Sequence, residues 1–100
     1  MKLVYSRRAL ADLGEIATYY STTANPAVAK SIERRFTEVI ERICRAPESA
    51  PRVSKRSQVR VATVVRYPYR IFYRLRDGTI DILHVRHTSR RPPATTTSPE

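Results

Sequence analysis

Apolar positions recur along this chain with two periods, and each period marks a different kind of element. The segment from Lys2 to Tyr5 is short and β-compatible, and Ser6 after it suits a helix N-cap, because its hydroxyl can accept from an orphan backbone N–H. Leu10, Leu13, Ile16, Ala17 and Tyr20 then recur at spacings of three and four, which predicts a helix from Arg7 that ends in Ser21 to Ala24. Asn25-Pro26 reads as a second N-cap followed by proline at the first helical position, where no N–H is needed. Val28, Ile32, Phe36, Val39, Ile40 and Ile43 form the next apolar stripe, and Ala46-Pro47 stops it. The short link between the helices predicts an antiparallel hairpin.

Beyond an aperiodic loop from Glu48 to Ser57, the period shortens to two. Three strands are expected, from Val59 to Arg66, from Tyr69 to Arg76 and from Thr79 to Arg86. Tyr67-Pro68 turns the chain between the first two, and Asp77-Gly78 between the last two, the latter being a two-residue hairpin that needs positive φ. Continuous pairing from that turn sets Leu75 opposite Ile80, Tyr73 opposite Ile82 and Arg74 opposite Asp81. Ile71, Tyr73, Leu75, Ile80 and Ile82 then share a face for the helices, giving an α+β fold with the helix hairpin on one side of an antiparallel meander. The other face is expected to carry Arg70 and Arg74 together with Val61, Val65, Phe72, Leu83 and Val85, more apolar area than water tolerates well. A partner is expected to cover it.

Length and composition narrow the class. One hundred residues make one domain, here residues 1–92, with 93–100 a polar tail expected to be disordered. With no long apolar run and no signal-like N-terminus, the chain reads as cytoplasmic and free of membrane association. One cysteine, Cys44, and two histidines, His84 and His87, give no disulfide and no zinc spacing, so neither metal nor cofactor is expected. The formal charge of +10 is lopsided: residues 1–51 hold eight Lys/Arg and six Asp/Glu, residues 52–91 eleven and two, and Glu100 is the remaining acid. Such a field steers polyanions or an acidic protein.

Strand, helix hairpin and meander occur here with particular residues. These are Tyr5-Ser6, Asp12-Leu13 with Ile16 and Tyr19-Tyr20, the run Arg66-Tyr67-Pro68-Tyr69-Arg70-Ile71-Phe72-Tyr73, and the end Ile82-Leu83-His84-Val85-Arg86-His87-Thr88-Ser89-Arg90-Arg91-Pro92. Over residues 2–92 the chain resembles the RelE/ParE superfamily of bacterial type II toxins. The resemblance implies a small basic toxin neutralised by a cognate acidic, ParD-like antitoxin, with DNA reached only indirectly, through the antitoxin. It also implies one of two activities. RelE-like members cut messenger RNA on the ribosome, whereas ParE-like members inhibit DNA gyrase. Where the RelE pattern carries two lysines, this chain has Val61 and Thr63, and its RelE-like tyrosine-bearing end is replaced by Arg90-Arg91-Pro92. Only the arginine of the Tyr-Arg element is kept, as Arg70. The ParE-like branch fits better, with DNA gyrase as the target; a ribosome-dependent endoribonuclease is the alternative.

Several residues admit two readings. Arg66, Tyr67, Tyr69, Arg70, Arg90 and Arg91 are the expected target-binding set, since basic and aromatic side chains make interface anchors; Arg70 serves equally as a strand-surface cation. Val61, Val65, Arg70, Phe72, Arg74 and Leu83 are the expected antitoxin-binding set. No catalytic residue is expected of an inhibitor; a ribonuclease would draw on Arg70 and His87, although His87 reads more simply as a hydrogen-bonding residue. Alternation with Ile80 and Ile82 makes His84 a core histidine, Tyr73 reads as core, Cys44 as a filler on a helix face, and Asp12 and Glu15 as solvated charge.

Overall fold

The computed structural model describes residues 2–88, so the expected disordered tail and the basic end at Arg90 and Arg91 lie outside the described residues. The order is β1 (Lys2–Tyr5), α1 (Arg7–Thr23), α2 (Pro26–Arg45), β2 (Val59–Thr63), β3 (Tyr69–Arg76) and β4 (Thr79–His87). The helix starts form as the sequence predicts. Ser6 Oγ accepts from the Ala9 N–H at 2.9 Å, and Asn25 Oδ1 accepts from the Val28 N–H at 2.9 Å, with Pro26 opening α2.

The strands make one open mixed sheet in the order β1-β4-β3-β2. β2, β3 and β4 are the expected antiparallel meander, and β1 adds a fourth strand that runs parallel to β4. Both helices cover one face, an α+β arrangement. Ile32, Phe36, Val39 and Ile43 of α2 and Ala9 of α1 bury against Ile71, Tyr73, Ile80 and Ile82 of the sheet. Tyr73 is fully buried, and its hydroxyl donates to the Pro47 carbonyl at 2.7 Å, which ties the loop after α2 to the middle of the sheet. Arg60 fastens the same loop, donating to the carbonyls of Glu48 and Ala50.

Some positions differ from the sequence reading. Leu10, expected on the inner stripe of α1, is 57% exposed, and the smaller Ala9 takes the buried place because α1 lies close against the sheet there. Cys44 is exposed beside the buried Ile43 and fills nothing. β2 stops at Thr63. Val64 stays buried, but Val65 stands in the turn, half exposed, rather than on the outer sheet face. Arg66 follows with φ 75, a left-handed conformation that closes the corner into β3 at the cost of backbone strain.

The largest difference is in β4. The pairs Leu75–Ile80, Arg74–Asp81 and Tyr73–Ile82 form as expected, but a β-bulge follows, and the next pairs are Phe72–His84, Ile71–Val85, Arg70–Arg86 and Tyr69–His87. One extra residue reverses every side chain after it. Val85, expected on the outer face, is therefore buried under the helices, and His84, expected in the core, stands on the outer face with its ring 4.5 Å from that of Phe72. The reason is hydrophobic: Ile80, Ile82 and Val85 cannot all face the helices in an unbroken strand, and the bulge lets them do so. Two side chains of the β1–α1 region receive the displaced backbone. Ser6 Oγ donates to the Leu83 carbonyl at 2.6 Å, and Asp12 Oδ2 accepts from the Val85 N–H at 3.0 Å. Asp12 is thus structural rather than solvated charge.

Burial lowers the pKa of His84 below its ordinary value of 6.5; the Arg8 guanidinium and, more weakly, Arg86 add to the effect, while Asp12 opposes it. The folded protein therefore resists a proton that the unfolded chain accepts, and stability contributed by neutral His84 is present above pH 6.5 and is lost as pH falls from there through the folded-state pKa. Urea unfolding from about pH 7 to about pH 5 is expected to show a falling free energy, with a shallower slope in His84→Gln; equal slopes would contradict the assignment. At the hairpin, Gly78 has φ 75 and open space around its Cα, so Gly78→Ala is expected to cost about 1 kcal/mol by backbone strain alone, read as a lower urea midpoint with unchanged slope.

Candidate functional site

The sheet face turned away from the helices is built by period-two alternation. β2 contributes Val59, Val61 and Thr63, which pair with Arg74, Phe72 and Arg70 of β3, and β4 sets Asp81, His84 and Arg86 against the same three β3 residues. The centre of this face is apolar, with Val61, Phe72 and Leu83 half-buried, and the Phe72–His84 rings in contact. Around it stand Arg70, Arg74, Arg76 and Arg86. Asp81 is 7% exposed, and its carboxylate takes Arg76 Nη2 at 3.1 Å and Arg74 Nη2 at 3.5 Å. This pairing offsets part of the cost of burying the acid, whose Oδ2 is ion-paired but makes no hydrogen bond among the described residues.

Arg70 and Arg86 differ. They are cross-strand partners, a placement in which like charges repel, and neither has a carboxylate partner among the described residues. Arg74 Nε and His84 Nδ1 on this face are, like Asp81 Oδ2, buried without a hydrogen-bond partner among the described residues. An anion or an acidic chain laid on this face would relieve the repulsion and meet the unsatisfied donor.

Of the expected antitoxin-binding residues, the structure brings together Val61, Arg70, Phe72, Arg74 and Leu83 on this one face and leaves Val65 out, in the turn. Of the expected target-binding residues, Arg66 is exposed at the corner and Tyr67 is half-buried, its hydroxyl donating to Ser31 Oγ at 3.0 Å. Tyr69 is a correction. It is 6% exposed, packed against Phe36, Tyr20 and His87, because it falls on the inner face of β3. Arg70 and His87, the pair a ribonuclease would draw on, are on opposite faces. Arg70 is open, whereas His87 lies edge-on to Tyr69 at 5.1 Å, beside a hollow of about 310 Å³ lined also by Asp12, Glu15, Ile16 and Tyr19. The residue that shares the face with Arg70 and Arg86 is His84. Its placement is signalled in the sequence by the broken alternation Ile80, Ile82, Val85.

A second surface lies between the helices, which diverge to leave a groove of about 690 Å³ lined by Leu13, Ile16, Tyr20, Ile32, Phe36 and Ile40. Among the described residues no cluster of His, Cys, Asp and Glu could hold a metal ion, and no helix is long and apolar enough to cross a membrane.

Comparison with known proteins places this geometry. No curated protein sequence matches the chain. Among solved structures, a chain of the chromosomal ParDE toxin–antitoxin system from P. aeruginosa superposes with a TM-score of 0.77 at 27% identity, over 89% of this chain and 97% of that one. The isolated E. coli RelE toxin superposes with a TM-score of 0.54 at 16% identity, over 95% of this chain and 92% of that one. The intact E. coli RelBE toxin–antitoxin complex gives 0.54 at 17%, over 90% and 98%; at such identities the two RelE likenesses speak for the fold alone. The profile of the ParE toxin of the type II toxin–antitoxin system parDE matches residues 3–92, nearly every residue that builds the sheet and its open face, and the chain therefore belongs to the ParE toxin family.

Proposed function

We propose that this toxin acts by binding and inhibiting DNA gyrase, and that a cognate acidic antitoxin silences it by covering the open sheet face. One observation carries the choice of binding over catalysis. The outer positions of β2 beside Phe72 and Arg70 are Val61 and Thr63, so on this face β2 supplies neither a cation nor a proton donor of useful pKa. Phosphodiester cleavage needs charge stabilisation and proton transfer at one point, and losing the proton transfer alone forfeits about 10² to 10⁴ in rate. His87 stands on the other face and does not fill that role.

Binding loses nothing by the same substitutions. An apolar centre rimmed by arginines is what a partner with apolar anchors and flanking carboxylates fits, and the unpartnered Arg74 Nε and the opposed Arg70 and Arg86 reward such a partner. Val61, Phe72 and Leu83 are the proposed anchors for the antitoxin, with Arg70 and Arg74 meeting its acids, and the apolar groove between α1 and α2 offers a second seat for the same chain. Arg66, Tyr67, Arg70, Arg90 and Arg91 are the proposed contacts to gyrase. The ribonuclease reading keeps one observation in its favour: Arg70, His84 and Arg86 cluster on one face, two cations around an imidazole.

Purified toxin is expected to inhibit gyrase supercoiling in proportion to its amount and to leave ribosome-bound mRNA intact. Arg90→Ala with Arg91→Ala is expected to abolish growth arrest while antitoxin binding survives. Cleavage of mRNA by catalytic amounts of toxin, with supercoiling untouched, would reverse the choice and make Arg70, His84 and Arg86 the residues to test. Excess antitoxin is expected to raise the melting temperature by about 10 °C, and Phe72→Ala to weaken the complex by about tenfold or more, measured by calorimetry. An unchanged affinity in Phe72→Ala would remove the sheet face from the antitoxin interface.

A further inference from the structure

The bulge in β4 decides the composition of the open face. Were pairing to continue unbroken from the Asp77-Gly78 turn, His84 would oppose Ile71 and Arg86 would oppose Tyr69, on the helix-facing side, and Val85 would turn to water. The observed shift brings His84 and Arg86 out beside Phe72 and Arg70. A bulge leaves backbone groups without ladder partners, and here they fall where β1 has already ended, since its last pair with β4 is Tyr5–Ile82. The Ser6 N–H makes the last backbone bond of that seam, to the Ile82 carbonyl at 3.0 Å. From there side chains take over, Ser6 Oγ on the Leu83 carbonyl and Asp12 Oδ2 on the Val85 N–H. Ser6 and Asp12 lie 77 and 73 residues away in sequence and stand in for the strand that is missing.

We propose that Ser6 and Asp12 are positioning residues that lock the β4 bulge, and so determine that His84 and Arg86, rather than Val85 and His87, stand on the contact face. They touch no partner themselves. The importance of that face rests on the function proposed above; the locking of the register does not. The physical basis is that the Val85 N–H, half-buried and beyond the end of β1, bonds a carboxylate, a charge-assisted contact stronger than the ladder bond it replaces. The same hydroxyl that caps α1 donates to Leu83, so the helix start and the bulge form together.

The test compares full-length Asp12→Ala, Asp12→Asn and Ser6→Ala with Gly78→Ala, which lies at the distant hairpin and serves as a control for general loss of stability. Two NMR readouts follow the register directly: amide exchange at Val85, and the ring-current shift that Phe72 imposes on the His84 imidazole at 4.5 Å. Asp12→Ala is expected to lower Val85 protection by about tenfold or more and to collapse the His84 shift. Asp12→Asn keeps an acceptor oxygen and is expected to preserve both, and Ser6→Ala to fall between. Gly78→Ala is expected to leave the His84 shift in place. If Asp12→Ala retains Val85 protection and the His84 shift, or if Gly78→Ala erases them equally, the burial of Val85 alone sets the bulge and the proposal is overturned. Antitoxin affinity, measured on the same variants, separates the two readings: collapse of the NMR signature with unchanged affinity upholds the positioning role and counts against the sheet face as the antitoxin's seat.

Discussion

The joint between the start of α1 and the end of β4 governs much of this molecule. Ser6 closes the β1–β4 seam through its backbone, caps α1 through its hydroxyl and bonds Leu83 with the same group, while Asp12, one and a half turns on, takes the Val85 amide. The contacts to Leu83 and Val85 satisfy backbone groups left without a strand partner beyond the end of β1, and an orphaned buried amide costs about 1 to 3 kcal/mol. The apolar pattern supplies the complementary pull, because Ile80, Ile82 and Val85 all reach the helices only if one residue is inserted between the last two. Core burial and polar satisfaction thus demand the same register, the agreement between levels that gives a chain one structure.

The outer face follows from that register. An unbroken β4 would set Arg70 against Val85; the bulged one sets it against Arg86. The like-charge pair is a local liability that the fold retains, next to a carboxylate, Asp81, which is already engaged by Arg74 and Arg76. Natural sequences usually dilute such repulsion with an acid across the strand. Both residues are exposed, so water and counterions screen the repulsion, and the acidic antitoxin proposed for this face would relieve it further. Affinity on such a surface comes from the buried apolar centre, and the arginine rim contributes mainly encounter rate and selectivity.

The same face bears on the proposed choice of binding over chemistry. Proton transfer and charge stabilisation must converge within hydrogen-bond reach of one reacting phosphate; sheet parity parts Arg70, outward, from His87, inward against Tyr69, while His84 shares the outer face with Arg70 and Arg86. An interface has no such demand for convergence. It tolerates Val61 and Thr63 beside Arg70, and gains from the apolar area that Val61 adds to Phe72.

Much of this was legible in the sequence. The helix stripes, the Ser6 and Asn25 caps, the Asp77-Gly78 turn and the register near it follow from local chemistry, because caps and two-residue turns are decided by residues a few positions apart. The family likeness was legible for a related reason, in contiguous runs on β3 and β4. The parallel place of β1 beside β4 was not, since nothing local says which edge a distant four-residue strand will join. Nor was the bulge. Alternation read from the turn carries His84 into the core and Val85 out; the observed register instead buries Val85 with Ile80 and Ile82 and meets Ser6 and Asp12, more than seventy residues away. Sequence by itself determined which segments are helix and strand and which residues belong to a basic, apolar-centred sheet. Tertiary structure decided which of them share a face, because in a strand that choice turns on a single inserted residue, and the energy that fixes it comes from groups that meet only once the chain has folded.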